Sequence, residues 1–253
     1  MIEEIFLFAA SFVANMMSAL AGGGAGLLQL PALLWLDLDF PVALATHKIA
    51  TVFLGLGATA RLYKDTHLLD KMLAFWIASA GMIGTVLGAY VIIHVPGHIA
   101  TLALGVLIIA LGIYSALKRD MGIDYALKNQ SLKGRIIGCA IIFTIGLMNG
   151  SITAGSGLFV TLCLILWWGM DYKRAVAYTM ILVGIFWNAS GAVALIALGE
   201  PVKLDWLLIL IVGSFLGGYA GSHLGLVKGN TVIKYVFVSV TLLSGASLLF
   251  KVL

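Results

Sequence analysis

A lysine stands in the middle of an apolar stretch in the first quarter of the chain. The segment Ala43–Gly55 reads ALATHKIATVFLG, with Lys48 directly after Thr46 and His47. A lysine at the centre of a lipid bilayer costs on the order of 3 kcal/mol, and such residues are by default functional. A fixed positive charge at that depth would attract an anion. The alternative is that Lys48 lies near the outer interface and extends its side chain to the headgroups.

Two glycine-rich motifs could supply backbone amide donors to the same anion. Gly22–Gly24 interrupts the apolar run Ala19–Leu36, and Thr153–Gly157 interrupts a related run in the second half. Helices that begin at about Ala25 and Gly155 would each present unpaired N–H groups and a positive dipole end at these breaks. Glycine lets a ligand approach those amides closely. The pair of helix starts therefore favours an anion.

Polar side chains near the motifs extend the candidate site. Asn188 lies in the middle of a later apolar run, and His47 either carries a proton, which would allow proton coupling, or simply packs and hydrogen-bonds. Asn15, Ser18 and Asn149 could also face the site. The candidate substrate-binding residues are Lys48, Gly22, Gly23, Gly24, Ala25, Thr46, His47, Ser151, Thr153, Gly155, Ser156 and Asn188.

Other chemistries lack the residues they need. His94 and His98 are four residues apart, but no carboxylate or cysteine joins them, so we predict no metal site. We find no nucleotide-binding loop and no nucleophile–base arrangement, so we predict neither an enzyme nor a cofactor. Cys139 and Cys163 lie in apolar runs and are expected to pack as small hydrophobic residues. No basic run alternates with aromatic residues, which argues against a nucleic-acid partner.

The amino-acid composition predicts that most of the chain lies within a lipid bilayer. Of the 253 residues, 62% are hydrophobic and 10% are charged, whereas a soluble chain is about half apolar and about a quarter charged. Lipid cannot satisfy backbone amides, so only helices or a closed barrel can cross it. Long continuous apolar runs, rather than two-residue alternation, favour helices. We therefore predict an all-α polytopic membrane protein with the lipid bilayer as a partner.

Breaks at glycines, prolines and charges divide the chain into ten helical segments. Those of the first half, a to e, are 5–21, 25–36, 41–62, 70–94 and 97–117. Those of the second half, a′ to e′, are 134–152, 155–168, 172–198, 204–226 and 230–250. Segments b and b′ are too short to cross about 30 Å of hydrocarbon comfortably. Two helical hairpins, a–b and a′–b′, would then have their tips near the bilayer midplane.

The charges predict how these segments are oriented. If each segment reverses the chain and Glu3 lies outside, only Lys203 and Lys251 fall outside. Twelve basic residues then fall on the cytoplasmic side, as the positive-inside rule requires. They are Arg61, Lys64, Lys71, Lys118, Arg119, Lys128, Lys133, Arg135, Lys173, Arg174, Lys228 and Lys234. Both termini are predicted outside, and the two halves have opposite orientation.

The two halves also resemble each other in sequence. The motif Gly24–Leu27 matches Gly155–Leu158, and the GxxxG motif Gly84–Gly88 matches Gly217–Gly221. The alternative is chance similarity between glycine-containing apolar helices, but the matches keep their order and spacing. We predict a 5+5 inverted repeat, with halves at 1–117 and 134–253 joined by a cytoplasmic linker at 118–133. Interrupted segments at matching positions of such halves indicate a transporter's binding site.

The motifs AGGGAGLLQLPALL, ALATHKIAT and TAGSGLFVTL resemble the TauE/SafE family of sulfite and organosulfonate exporters. The resemblance covers essentially the full chain. It implies a secondary transporter, and in particular an exporter, of a small sulfur oxyanion such as a sulfonate or sulfite, in a bacterial inner membrane. Lys48 occupies the lysine of the family's Thr-Asn-Lys motif, with His47 in place of the asparagine.

Two other functions remain as alternatives. An anion channel could use the same openings on the two sides of the membrane. A membrane scaffold or receptor could instead bind a soluble partner. The scaffold is disfavoured because the longest loop, at about 118–133, offers little docking surface. The residues themselves predict only a site for a small anion between two inverted halves. For a transporter, we expect this site to work by alternating access.

Overall fold

A computed structural model describes residues 2–62, 70–117 and 126–227, together with residues 242, 245, 246, 249 and 250. The described residues form helices and connecting turns and contain no strand. Seven of the helices are long and apolar enough to cross a membrane. The prediction of an all-α polytopic membrane protein is confirmed.

Nine of the ten predicted segments correspond to helical elements of the described residues. The first half contains α1 (Ile2–Ala21), a 3₁₀ turn (Ala25–Leu27) with α2 (Gln29–Trp35), α3 (Phe40–Leu62), α4 (Lys71–Ile92) and α5 (Gly97–Leu117). The second half contains α6 (Leu132–Ser151), α7 (Ser156–Leu166), α8 (Tyr172–Ile181), α9 (Asn188–Ala197) and α10 (Leu204–Val227). Most of segment e′ lies outside the described residues. The C-terminus and residues 118–125 of the predicted linker lie entirely outside them.

Two segments differ from the continuous helices predicted for them. Segment b opens with the 3₁₀ turn before α2, in which Pro31 lies in the first helical turn, where its missing N–H leaves no hydrogen bond unmade. Segment c′ consists of α8 and α9 joined by a π-helix at Leu182–Trp187. Such π-helical turns are rare and often occur at functional sites. Both irregular stretches adjoin the cavity described below.

Two helix pairs pack through the GxxxG motifs that the sequence analysis matched. The motif Gly84–Gly88 of α4 lies against the main chain of α6 at Phe143–Leu147. The motif Gly217–Gly221 of α10 lies against the main chain of α1 at Phe12–Met16. A Cβ atom at any of these four glycines would overlap a backbone atom of the partner helix. Segment a therefore packs against segment d′, and segment a′ packs against segment d, as small-residue motifs allow.

Candidate substrate site

The first tip is the loop between α1 and the 3₁₀ turn. Gly22, Gly23 and Gly24 have φ angles of 81°, 131° and 107°, which only glycine adopts readily in succession. The amide of Gly23 donates to the carbonyl of Ser18 at 2.8 Å, a bond from residue i to residue i−5 that ends α1. The glycines thus end one helix and start the next within three residues, as their spacing predicted.

The second tip is built in the same way between α6 and α7. Thr153 and Gly155 have φ angles of 58° and 72°. The amide of Thr153 donates to the carbonyl of Met148 at 2.8 Å, again from residue i to residue i−5. Gly24 and Gly155, which the sequence analysis matched, are the left-handed N-cap residues of the helices that follow, and no side chain caps either helix. First-turn amides at both tips therefore lack a side-chain partner.

The two tips meet in the interior of the protein. A Cβ atom on Gly23 would overlap the main chain of Gly157, and one on Gly157 would overlap Gly23. Next to this contact, a Cβ on Gly26 would press against the side chain of Thr153. Glycine is thus required at Gly23 both for its φ angle and for the close approach. The expectation that the two short-helix hairpins meet agrees with this contact.

A cavity of about 30 Å³ lies beside the tips, between α3 and the interrupted α8–α9 segment. A volume of this size holds one or two water molecules. Nine residues that the sequence analysis placed in or near the candidate site line this cavity. They are Gly23, Gly24, Ala25, His47, Thr153, Ser156 and Asn188, together with Ser18 and Asn149. Sequence reasoning missed several others, namely Gly26, Thr51, Leu54, Gly157, Met180, Val183 and Gly184. Thr179 of α8 also lines the cavity.

Five candidate residues lie outside the lining of this cavity. Gly22 packs against Val176, and its carbonyl accepts a hydrogen bond from Thr161 at 2.5 Å. Gly155 is the N-cap of α7. Hydrogen bonds to other groups hold the hydroxyls of Thr46 and Ser151: Thr46 Oγ1 donates to the carbonyl of Val42 and accepts from the amide of Lys203, and Ser151 Oγ donates to the carbonyl of Leu147. Lys48 is the fifth.

Lys48 is fully buried, one layer behind the cavity wall. Its Nζ donates to the main-chain oxygen of Asn149 at 2.7 Å and to Oδ1 of the same residue at 3.0 Å. Asn149 in turn donates through Nδ2 to Ser156 Oγ at 2.9 Å, and Ser156 donates to the carbonyl of Thr153 at 2.7 Å. The lysine therefore supports the end of α6 and the second tip, and Asn149 lies between it and the cavity.

A second buried network supports the other side of the cavity. His47 Nδ1 lies 2.8 Å from Gln29 Oε1, and Gln29 Nε2 donates to Ser11 Oγ at 2.9 Å. Ser11 and Asn15 each reach Ser214 of α10, at 3.1 and 2.9 Å. This network ties α1, α2, α3 and α10 together around His47. Gln29 was missed, although an amide three residues after Gly26 in an apolar run was a visible signal.

Asn188 is the cavity residue with an unfilled hydrogen-bonding position. It is 6% exposed, and its Oδ1 has no hydrogen-bond partner in the described part of the chain, while Nδ2 makes a long 3.4 Å bond to the carbonyl of Gly184. A buried polar atom without a partner costs about 1–3 kcal/mol. Because Oδ1 is an acceptor, a water molecule or another hydrogen-bond donor in the cavity would pair with it. Among the described residues, no group of three or more metal-ligating side chains occurs.

These features define a polytopic helical membrane protein with an interior polar cavity between two interrupted hairpins, which is an arrangement found in secondary transporters. The chain belongs to the family described as sulfite exporter TauE/SafE, whose sequence pattern matches residues 7–248. The family resemblance stated above is confirmed.

Three curated relatives carry transporter names. A Sinorhizobium sp. protein named "Probable membrane transporter protein ORF9" is 30% identical over 94% of this chain and 88% of its own length. A Haemophilus influenzae "Probable membrane transporter protein" is 26% identical over 96% and 93%. The Escherichia coli K12 "Probable membrane transporter protein YfcA" is 29% identical over 96% and 88%. No solved structure matches the chain. The protein is therefore a multi-pass membrane transporter by family.

Proposed function

We propose that this protein is a secondary transporter of a small sulfur oxyanion, such as a sulfonate or sulfite, that works by alternating access. The family name indicates sulfite export, and the positive-inside distribution favours an inner-membrane orientation with the N-terminus outside. The transported anion binds in the cavity between the two tips.

The observation that carries this proposal is the complete burial of the Lys48 ammonium. Within the described residues no carboxylate pairs with its ammonium, which contacts only the two oxygens of Asn149. A buried charge without a counter-ion is strongly unfavourable. An anion beside Asn149 and the uncapped amides of α7 would offset that cost. The site therefore selects for negative charge.

The size of the cavity favours alternating access over a continuous pore. At about 30 Å³ it admits only one or two waters, so a sulfonate enters after the surrounding helices separate. The packing of α1 on α10 and of α4 on α6 supports the 5+5 inverted repeat, with halves 1–117 and 134–253 and a linker at 118–133. Two related halves that exchange contacts could rock about a central site.

Binding and flux assays test the proposal. Purified protein in nanodiscs is titrated calorimetrically with methanesulfonate, taurine, sulfoacetate, thiosulfate, sulfate and acetate, and with sulfite under anaerobic conditions. We expect a sulfur oxyanion to bind and acetate to bind more weakly. Binding of none of the sulfur oxyanions would contradict the proposal. In proteoliposomes, saturable counterflow of the bound anion supports a transporter, and large single-channel currents would favour the channel.

A further inference from the structure

A second, larger cavity of about 260 Å³ opens where α3 and α10 end and α8 begins. We call it the basic-face vestibule, because Lys173 lines it and Arg61 lies at the same helix ends, bonded to His223 at 3.0 Å. We propose that the basic-face vestibule is a separate binding site for the transported sulfur oxyanion, on the access path to the central cavity. This inference rests on the proposed function.

Ser222 is the residue that points to a ligand in the vestibule. It lines the cavity, is 5% exposed, and its Oγ has no hydrogen-bond partner among the residues that the structure describes. A buried hydroxyl that lacks a partner in the protein is explained by a solute or water that pairs with it. A sulfonate oxygen accepts a hydrogen bond from such a hydroxyl. The positive charge of Lys173 supplies the electrostatic attraction for an anion.

A thin apolar barrier separates the vestibule from the central cavity. We call this barrier the apolar plug, and its members are Ala19, Ala25, Leu54, Ala58, Val176 and Met180. Three members, Ala25, Leu54 and Met180, line the central cavity, while Ala19 and Val176 line the vestibule. One layer of side chains therefore lies between the two spaces. Tyr172 packs on the plug, and its hydroxyl donates to the carbonyl of Leu20 at 3.3 Å.

The positions of the first half that match the vestibule residues are buried in a hydrophobic core. Under the repeat, Tyr172, Val176 and Ser222 correspond to Phe40, Leu44 and Ala89. These three residues are 3%, 0% and 0% exposed and belong to one hydrophobic core cluster. The two halves thus differ: one end of the path is packed with apolar side chains, and the other end holds the vestibule. This asymmetry is what a transporter open toward its basic face requires.

Cysteine labelling tests the vestibule site. Ser222→Cys is made in a background carrying Cys139→Ala and Cys163→Ala, in phosphatidylcholine nanodiscs, and is reacted with a small neutral methanethiosulfonate. Methanesulfonate serves as the ligand because sulfite would cleave the mixed disulfide. At about ten times its dissociation constant, we expect methanesulfonate to slow labelling about tenfold. Gly225→Cys is a second reporter, since a Cβ at Gly225 meets only an ordinary contact with Leu20 at 3.7 Å.

Three controls separate the outcomes. Ala89→Cys, the matched residue of the other half, should react far more slowly. Methanesulfonate should still protect Ser222→Cys when Lys48→Met removes the charge behind the central cavity. Loss of protection in the Lys48→Met background would place the anion only at the central site and overturn the proposed vestibule site. Unchanged labelling of Ser222→Cys under saturating methanesulfonate would also overturn the vestibule site. Failure of the wild-type protein to bind any sulfur oxyanion would instead refute the proposed function. Slow labelling only in phosphatidylglycerol nanodiscs would identify a lipid headgroup as the occupant instead.

Discussion

The ammonium of Lys48 holds both oxygens of Asn149, at 2.7 Å for the main chain and 3.0 Å for the side chain, across 101 residues of sequence. This contact joins the middle of α3 to the end of α6, immediately before the second tip. A cation at the end of a helix interacts favourably with the helix dipole. Lys48 thus supports the second tip without lining the cavity, and we propose that its charge acts on an anion bound there.

Removing that charge tests its effect on the anion. Lys48→Met keeps the length and volume of the side chain, and we expect methanesulfonate affinity to fall about tenfold or more, which is about 1.4 kcal/mol. Calorimetry in nanodiscs measures the loss. Lys203→Met is the matched control, because the Lys203 side chain is 38% exposed and paired with Asp205 at 3.1 Å. Equal affinity of wild type and Lys48→Met would exclude Lys48 from the site's electrostatics.

A methyl group at the meeting point of the tips tests the hairpin contact. Gly23→Ala introduces a Cβ that overlaps Gly157 at a φ of 131°, so we expect severe destabilisation and loss of transport. Gly199→Ala is the matched control: its φ is 94°, but nothing lies within 4 Å. That control should lose only about 1–2 kcal/mol for its left-handed backbone. Thermal unfolding of both variants in detergent gives the comparison, and equal melting temperatures would contradict the contact.

A carboxylate in the cavity wall tests the sign of the ligand. Asn188→Asp places a negative charge beside the anion, and like charges about 4 Å apart repel by about 4 kcal/mol near a protein surface. We therefore expect at least about a hundredfold loss of methanesulfonate affinity. Gln130→Glu makes the same chemical change at an exposed position and should leave affinity unchanged. Tighter anion binding by Asn188→Asp would refute an anion in this cavity.

The matched glycine motifs predict matched losses of stability. Gly88→Ala and Gly221→Ala place a Cβ against the carbonyls of Leu147 and Met16, so each should lower the melting temperature by a similar amount. Gly97→Ala, whose nearest neighbour is 4.0 Å away, should be neutral or slightly stabilising. Alanine otherwise favours a helix over glycine by about 0.5–1 kcal/mol, so a drop reflects the contact. A loss in only one of the two motif variants would argue against equivalent packing.

Composition and the positions of glycine, proline and charge were enough to predict a helical membrane protein, the helical segments and the two breaks. These properties depend on local physics, because lipid forces the backbone into helices and positive φ angles demand glycine. The two tips were also expected to meet, and Gly23 and Gly157 lie in contact. The family resemblance rested on the same motifs.

The direction in which each polar side chain points depended on tertiary packing. In α3, Thr46 turns toward Lys203, His47 lines the cavity and Lys48 reaches Asn149, although the three residues are consecutive. Lipid and the protein interior are both apolar, so the sequence carries little signal for which face of a membrane helix is buried. The π-helix at Leu182–Trp187 was also not predicted from the sequence. It lies where Gly184 packs against Gly55 of α3, a contact between residues far apart in the chain.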